Sequence, residues 1–146
     1  MTEAKLESAA ALPFALAGNA KFTLRSVKTG TRYTYKVRRA EEKEGQTHPR
    51  WFVSLLTGSD NDADFTYMGM IDEGLTFRLT KSSKLAATST PVAAFDWFFK
   101  RLAAKRVTPD GVEVWHAGRC GRCGRTLTVP ESIEQGFGPE CAGRVA

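Results

Sequence analysis

All three cysteines of the chain, Cys120, Cys123 and Cys141, lie in its C-terminal segment. Cys-Gly-Arg-Cys-Gly is the pattern of a metal knuckle. Two thiolates at that spacing curl round one ion with backbone N–H groups turned toward the sulfurs. Gly124 supplies the positive φ that such a turn often needs. Zinc takes four tetrahedral nitrogen or sulfur ligands. Cys141 follows Cys123 with seventeen residues between them, enough for a hairpin return. Pro139 can open a short helix that places Cys141 in its first turn. This arrangement is treble-clef-like. The fourth ligand must be of another type. His116, four residues before Cys120, is the nearest candidate, and Glu140, Glu113 or a water are the alternatives. A redox Cys-x2-Cys of thioredoxin type would precede a helix in a βαβ unit, whereas glycines and a hairpin follow here. Three thiolates on Zn2+ leave one net negative charge. Arg119, Arg122 and Arg125 therefore either balance the site or reach phosphate.

The run GRCGRCGRTLTVPESIEQGFGPECAGR resembles the end of an uncharacterised domain family common in phage and prophage proteins. The shared pattern is a Cys-x2-Cys-Gly-Arg knuckle, a Leu-Thr, a Pro-x-Ser-Ile and a Gly-x-Gly-Pro-x-Cys close. The likeness covers about residues 112–144. The upstream blocks FTLRSVKTGTRYTYKVR and WFVSLLTGSDNDADFTYMGMI are also similar to what precedes the knuckle in such proteins. Family members often sit near phage replication and recombination genes, with no settled activity. The resemblance implies a zinc knuckle and a phage-like origin, and supplies no catalytic site.

Other chemistry is sparse. Asp60, Asp62 and Asp64 stand at i, i+2 and i+4, as a Ca2+ loop begins. Its sixth position should be glycine and its twelfth glutamate; here they are Phe65 and Ile71. An EF-hand loop is excluded. A partial cation site, a mimic of nucleic-acid charge and a solvated turn remain. With two histidines, His48 and His116, an ordinary hydrolase is hard to build.

The second candidate surface is basic. Residues 21–39 hold seven bases and no acid. Lys21 and Arg25, then Arg32, Lys36 and Arg38, alternate with apolar residues at period two. This pattern predicts a hairpin with one apolar and one basic face, turning at Thr29-Gly30. Alternate residues on a strand are about 7 Å apart, close to the spacing of phosphates in an extended strand. Arg122 and Arg125 would lengthen the track if the knuckle packs beside the hairpin. Tyr33 and Tyr35 share the face of Val37, which assigns them to the core rather than to base stacking.

The elements that must position these residues follow from periodicity. Residues 1–20 form an N-terminal arm or short helix, interrupted by Pro13 and ended by Gly18-Asn19. Residues 21–108 form a β-domain. Its strands are the hairpin with Phe22, Leu24 and Val27 inward, then Trp51–Thr57, Phe65–Ile71 and Leu75–Thr80. A helix over 91–105 is capped by Thr90 with Pro91 in its first turn. Phe95, Phe98, Phe99 and Leu102 form an apolar stripe that covers the sheet. Residues 109–146 are the knuckle module, entered through a last strand, Val112–His116. The expected fold is α+β: a small antiparallel sheet or open barrel of five to six strands, one covering helix and the zinc knuckle.

Charge separates functional classes. The chain has 146 residues and net charge +5, 42% hydrophobic and 25% charged residues. The segments 1–20, 21–50, 51–99 and 100–146 carry −1, +6, −3 and +3. Disordered, collagenous and membrane-bundle classes are excluded. The N-terminus lacks the basic lead of a signal peptide, so the expected location is the cytoplasm of a bacterial host. The expected role is non-catalytic, zinc-dependent nucleic-acid binding in phage or mobile-element DNA metabolism, with low sequence specificity. An adaptor or inhibitor of a host defence or replication protein is the alternative, and a metal-dependent nuclease using the Asp60–Asp64 loop comes last.

Overall fold

The computed structural model describes residues 4–41, 48–60, 63–116 and 120–122. Seven antiparallel strands form one sheet. They are β1 Ala4–Lys5, β2 Asn19–Ser26, β3 Arg32–Arg39, β4 Trp51–Leu56, β5 Phe65–Ile71, β6 Phe77–Arg78 and β7 Val112–His116. Their order in space is β1-β7-β2-β3-β4-β5-β6, an open sheet whose two edge strands are two residues long. Edges that short offer little backbone for another chain to pair with. A 3-10 turn, Ser8–Ala10, leads into α1, Ala11–Ala15, and α2 spans Thr90–Lys105.

The hairpin forms where period-two alternation predicts it. β2 and β3 pair from Asn19–Arg38 to Arg25–Arg32. Gly30, at φ 75°, closes the turn with its N–H on the Ser26 carbonyl. Val27 falls beyond the strand end and is 57% exposed, so it does not join Phe22 and Leu24 in the core. The strand expected over Leu75–Thr80 shortens to Phe77–Arg78. Leu75 adopts φ 58°, and the Asp72 carboxylate accepts the Thr76 N–H at 3.1 Å, so the turn consumes those residues.

One face of the sheet is apolar: Ala20, Phe22 and Leu24 on β2, Tyr35 and Val37 on β3, Val53 and Leu55 on β4, with Val114 on β7. α2 lays Val92, Phe95, Phe98, Phe99 and Leu102 onto it, all buried. Phe95 is the hub, with ring centroids 4.9 Å from Phe77, 5.0 Å from Tyr35 and 5.7 Å from Phe99. Full burial of each such ring contributes roughly 1.5–3 kcal/mol. The Tyr35 hydroxyl donates to the Pro91 carbonyl at 2.6 Å and pins the start of α2 to the sheet. The N-cap of α2 is Ser89 rather than Thr90, and its hydroxyl donates back to Ala86 instead of capping. α2 ends where Arg106 turns left-handed, φ 60°, its N–H on Leu102.

The N-terminal segment is part of the core. Leu6, Leu12, Phe14 and Ala15 are buried, and β1 pairs with β7. The helix expected there is only five residues long, because its first residues form β1 and the 3-10 turn. Pro13 sits near the start of α1, where a missing N–H is tolerated. β7 lies between β1 and β2, with five paired positions against β2. The divisions expected at 20/21 and 108/109 therefore both run through one hydrogen-bonded sheet.

Candidate functional site

The face opposite the helices carries the basic residues. Lys21 and Arg25 on β2 and Arg32, Lys36 and Arg38 on β3 alternate with the buried positions. The register sets Lys21 against Lys36 and Arg25 against Arg32. Arg38 stands opposite Phe52, and Arg78 opposite Met70, on the same face. Glu113 and Trp115 on β7 point to this side too, because Val114 and His116 between and beyond them are buried. Glu113 is the one acid among the described strand residues of this face. It accepts from Arg25 at 2.8 Å and from Lys5 at 3.3 Å. The Arg25 hydrogen bond, then Lys5, holds its carboxyl below the usual range. Arg25 is thus neutralised in place, and the other bases of this face are Lys21, Arg32, Lys36 and Arg38.

Aromatic rings share this face. Phe52 and Tyr67 meet edge to face at 6.0 Å. The Lys21 and Lys36 ammonium groups each stand 5.6 Å from the Phe65 ring centroid. The guanidiniums of Arg38 and Arg50 lie 5.7 and 5.9 Å from the Phe52 ring. β2 and β5 are three strand spacings apart, roughly 14 Å in a flat sheet. Lys21 nonetheless reaches the Phe65 ring, a span that the length of a lysine side chain and the twist of a sheet allow. β4 alternates throughout, whereas β5 breaks its alternation at the register shift opposite Val53 and Ser54. Met68 turns inward there, and FTYMGMI loses its period-two signature. The detectable signal was the Arg38–Phe52 pairing once β3 is aligned with β4. Tyr33 and Tyr35 do lie on the core side, Tyr35 fully buried. Burial, then the nearby Tyr33, raises the Tyr35 phenol above its ordinary range.

Residues 120–122 dock at the start of β2. Asn19, paired with Arg38, donates its main-chain N–H to Gly121 at 2.8 Å and its side-chain amide to the Arg122 carbonyl at 2.8 Å. Gly121 packs so tightly on Phe14 that a Cβ there would fall 2.6 Å from the ring. Cys120 is buried, and the Arg122 N–H donates to its sulfur at 3.4 Å. His116 is buried at the end of β7, its ring 5.4 Å from Phe14. Phe14 is therefore the common wall behind His116 and the Cys120 turn. Cys123, Cys141, Arg125, Arg119 and Glu140 lie outside the described residues. Among the described residues no three metal-ligating groups gather.

The acidic loop looks inward on itself. The Asp64 carboxylate accepts the Asp60 N–H at 2.8 Å, and the Asp60 carboxylate accepts the Ala63 N–H at 3.2 Å. Asp62 lies outside the described residues. His48 is exposed and paired with Glu73. No helix among the described residues is long and apolar enough to cross a membrane.

No curated protein and no solved structure matches the chain. Residues 115–146, which hold the Cys-x2-Cys-Gly-Arg run, match one family model, described as a family of unknown function (DUF6011).

Proposed function

We propose that the protein is a non-catalytic, zinc-containing nucleic-acid-binding protein of phage or mobile-element DNA metabolism, acting in a bacterial cytoplasm. One observation carries this reading: Lys21, Arg25, Arg32, Lys36 and Arg38 share a single sheet face to which the described strand residues add one acid, Glu113. Such a surface suits a polyanion, and phosphate contacts along it carry little sequence information. The zinc would be held by Cys120, Cys123, Cys141 and His116. The Arg122 N–H on the Cys120 sulfur is the backbone-to-thiolate contact that a knuckle uses. His116 packs on the Phe14 ring, and so does Gly121, the neighbour of the buried Cys120, which supports the pairing of His116 and Cys120 as ligands. With four protein ligands the metal would have no open position and would act structurally.

A second reading, an adaptor or inhibitor of a host protein, draws on a different surface. Trp97 on the outer side of α2 is 40% exposed, with the Arg101 guanidinium 4.5 Å from its ring. Exposed Trp–Arg pairs are frequent anchors of protein interfaces. The nuclease reading ranks last, because Asp60 and Asp64 use acceptor sites on their own loop. An electrophoretic-mobility series separates the first two. Single- and double-stranded DNA and RNA are titrated at two salt concentrations. Binding that weakens steeply with salt supports the nucleic-acid reading. No binding at low salt refutes it and moves the adaptor reading ahead.

A further inference from the structure

We infer that Phe14 is a positioning residue for metal binding: its ring holds His116 and the Cys120 turn in place, which makes the N-terminal segment part of the zinc site. The inference rests on the zinc reading above and adds a residue far from the cysteines in sequence, outside the matched segment 115–146. His116 and Cys120 are held by different parts of the chain. His116 ends β7, paired with Phe22 on one side and Ala4 on the other. Cys120 stands beyond the strand, at the start of the turn 120–122. An ion that takes a ligand from each needs their separation fixed. Phe14 meets both. Its ring centroid is 5.4 Å from that of His116, with the planes tilted by 42°. A Cβ on Gly121 would fall 2.6 and 2.7 Å from its Cδ2 and Cε2 atoms. Gly121 does not adopt a left-handed φ, so space against the ring, rather than backbone conformation, calls for glycine there.

The ring is itself anchored. Phe14 is 1% exposed and meets the Phe22 ring edge to face at 6.4 Å. The Trp51 indole N–H donates to the Leu16 carbonyl at 3.0 Å and pins the end of α1 to β4. Asn19, just past α1, donates to the Gly121 and Arg122 carbonyls, both at 2.8 Å. The turn that carries Cys120 is therefore gripped twice by the N-terminal segment, by the Phe14 ring and by the Asn19 donors. Such coupling is reciprocal. A segment that favours the ligand geometry is itself held more firmly when the ion is bound.

The test uses the full-length protein. Zn2+ affinity is measured by competition with a colorimetric chelator, and ligand geometry by the visible bands of the Co2+-substituted protein. The proteins are the parent, Phe14→Val, Gly121→Ala, the double variant, and Phe99→Val as a control that loses a buried ring elsewhere, stacked on Phe95. Phe14→Val and Gly121→Ala should each weaken Zn2+ binding by about 10- to 100-fold and alter the Co2+ bands. Phe99→Val should match the parent in both. In the double variant the new Cβ occupies space the ring has left, so the combined loss should fall well short of the product of the single losses. Removing Zn2+ from the parent should lower amide protection at Leu6 and Asn19, whose N–H groups bond Val114 and Gly121. Parent-like affinity in Phe14→Val, single losses that multiply, an equal loss in Phe99→Val, or unchanged protection at Leu6 and Asn19 each overturns the inference while leaving the zinc site in place. Gly121→Ala leaves the core intact and decides the matter if Phe14→Val does not fold: parent-like affinity there overturns the inference as well. A parent that takes up neither Zn2+ nor Co2+ removes the underlying reading.

Discussion

Neutralising Arg32, Lys36 and Arg38 together, each to glutamine, removes three of the five bases on this face of β2 and β3. Arg32 and Arg38 are exposed and Lys36 half-buried, with the hairpin's apolar side untouched. The structural cost includes the Lys36–Phe65 and Arg38–Phe52 contacts, about 0.5–1 kcal/mol each at exposed sites. The binding cost is much larger. Each phosphate neutralised on a single strand contributes about 0.7 to the slope of log affinity against log salt. Losing three flattens that slope by about 2 units. Extrapolated from 1 M salt, the triple variant loses about 500-fold at 50 mM and about 30-fold at 200 mM. Fluorescence anisotropy with a labelled oligomer at four salt concentrations reads both quantities. A loss that is the same at every salt would mean damaged structure rather than lost charge. No loss at all would place the nucleic acid elsewhere.

Other consequences are independent of binding. Purified protein should contain about one zinc per chain by elemental analysis, and His116→Ala should weaken its retention against a chelator. Metal-free protein with Cys120 and Cys123 disulfide-linked would end the zinc reading. Tyr35→Phe removes the hydroxyl on Pro91 while keeping the ring, and should cost roughly 0.5–1.5 kcal/mol in denaturant unfolding. Since burial raises the Tyr35 pKa, its neutral form stabilises the fold below pH ~10, and that contribution is lost as pH rises beyond the unfolded phenol's pKa. The parent should therefore lose more stability than Tyr35→Phe between about pH 9 and pH 11, and parallel curves would refute the assignment. Gly69→Ala would bring a Cβ within 2.6 Å of the Arg78 carbonyl and 2.7 Å of the Phe77 ring, so it should destabilise by roughly 1–3 kcal/mol. A neutral result would mean that β6 is free to shift.

The elements legible in the sequence are those specified locally. Alternation along residues 21–39 marks the hairpin and its basic side, and the spacing of Phe95, Phe98, Phe99 and Leu102 marks the covering helix and its buried face. The Cys120–Cys123 spacing is visible because it lies between neighbours in the chain, and Cys123 lies outside the described residues. What stays hidden depends on contacts distant in sequence. Nothing near Val112 announces that it enters the sheet between residues of the first thirty, because parallel or antiparallel pairing partners leave no local trace. Leu6 and Phe14 look like a loose arm until β7 gives β1 a partner. The alternation of β5 breaks at Met68, which the register shift between Val53 and Ser54 leaves without a partner. Arg25 reads as an anion contact until Glu113, eighty-eight residues away, is placed beside it.

The placement of His116 also changes the expectation for metal removal. In a separate module, loss of zinc would release residues 112–146 alone. Here β7 is paired on both sides, and its last residue would be a ligand. Chelation should therefore lower amide protection in β7 and in its partners Phe22–Ser26, while β4 and β5 keep theirs.

The central claim is that nucleic acid lies on the basic face of the sheet. Amide shift mapping by NMR during titration with a dT oligomer tests it most directly. The account predicts the largest changes on β2, β3 and β5, around Lys21, Lys36 and Phe65, and little change along α2. Changes confined to α2 around Trp97 and Arg101, with β2 and β3 unmoved, would contradict it.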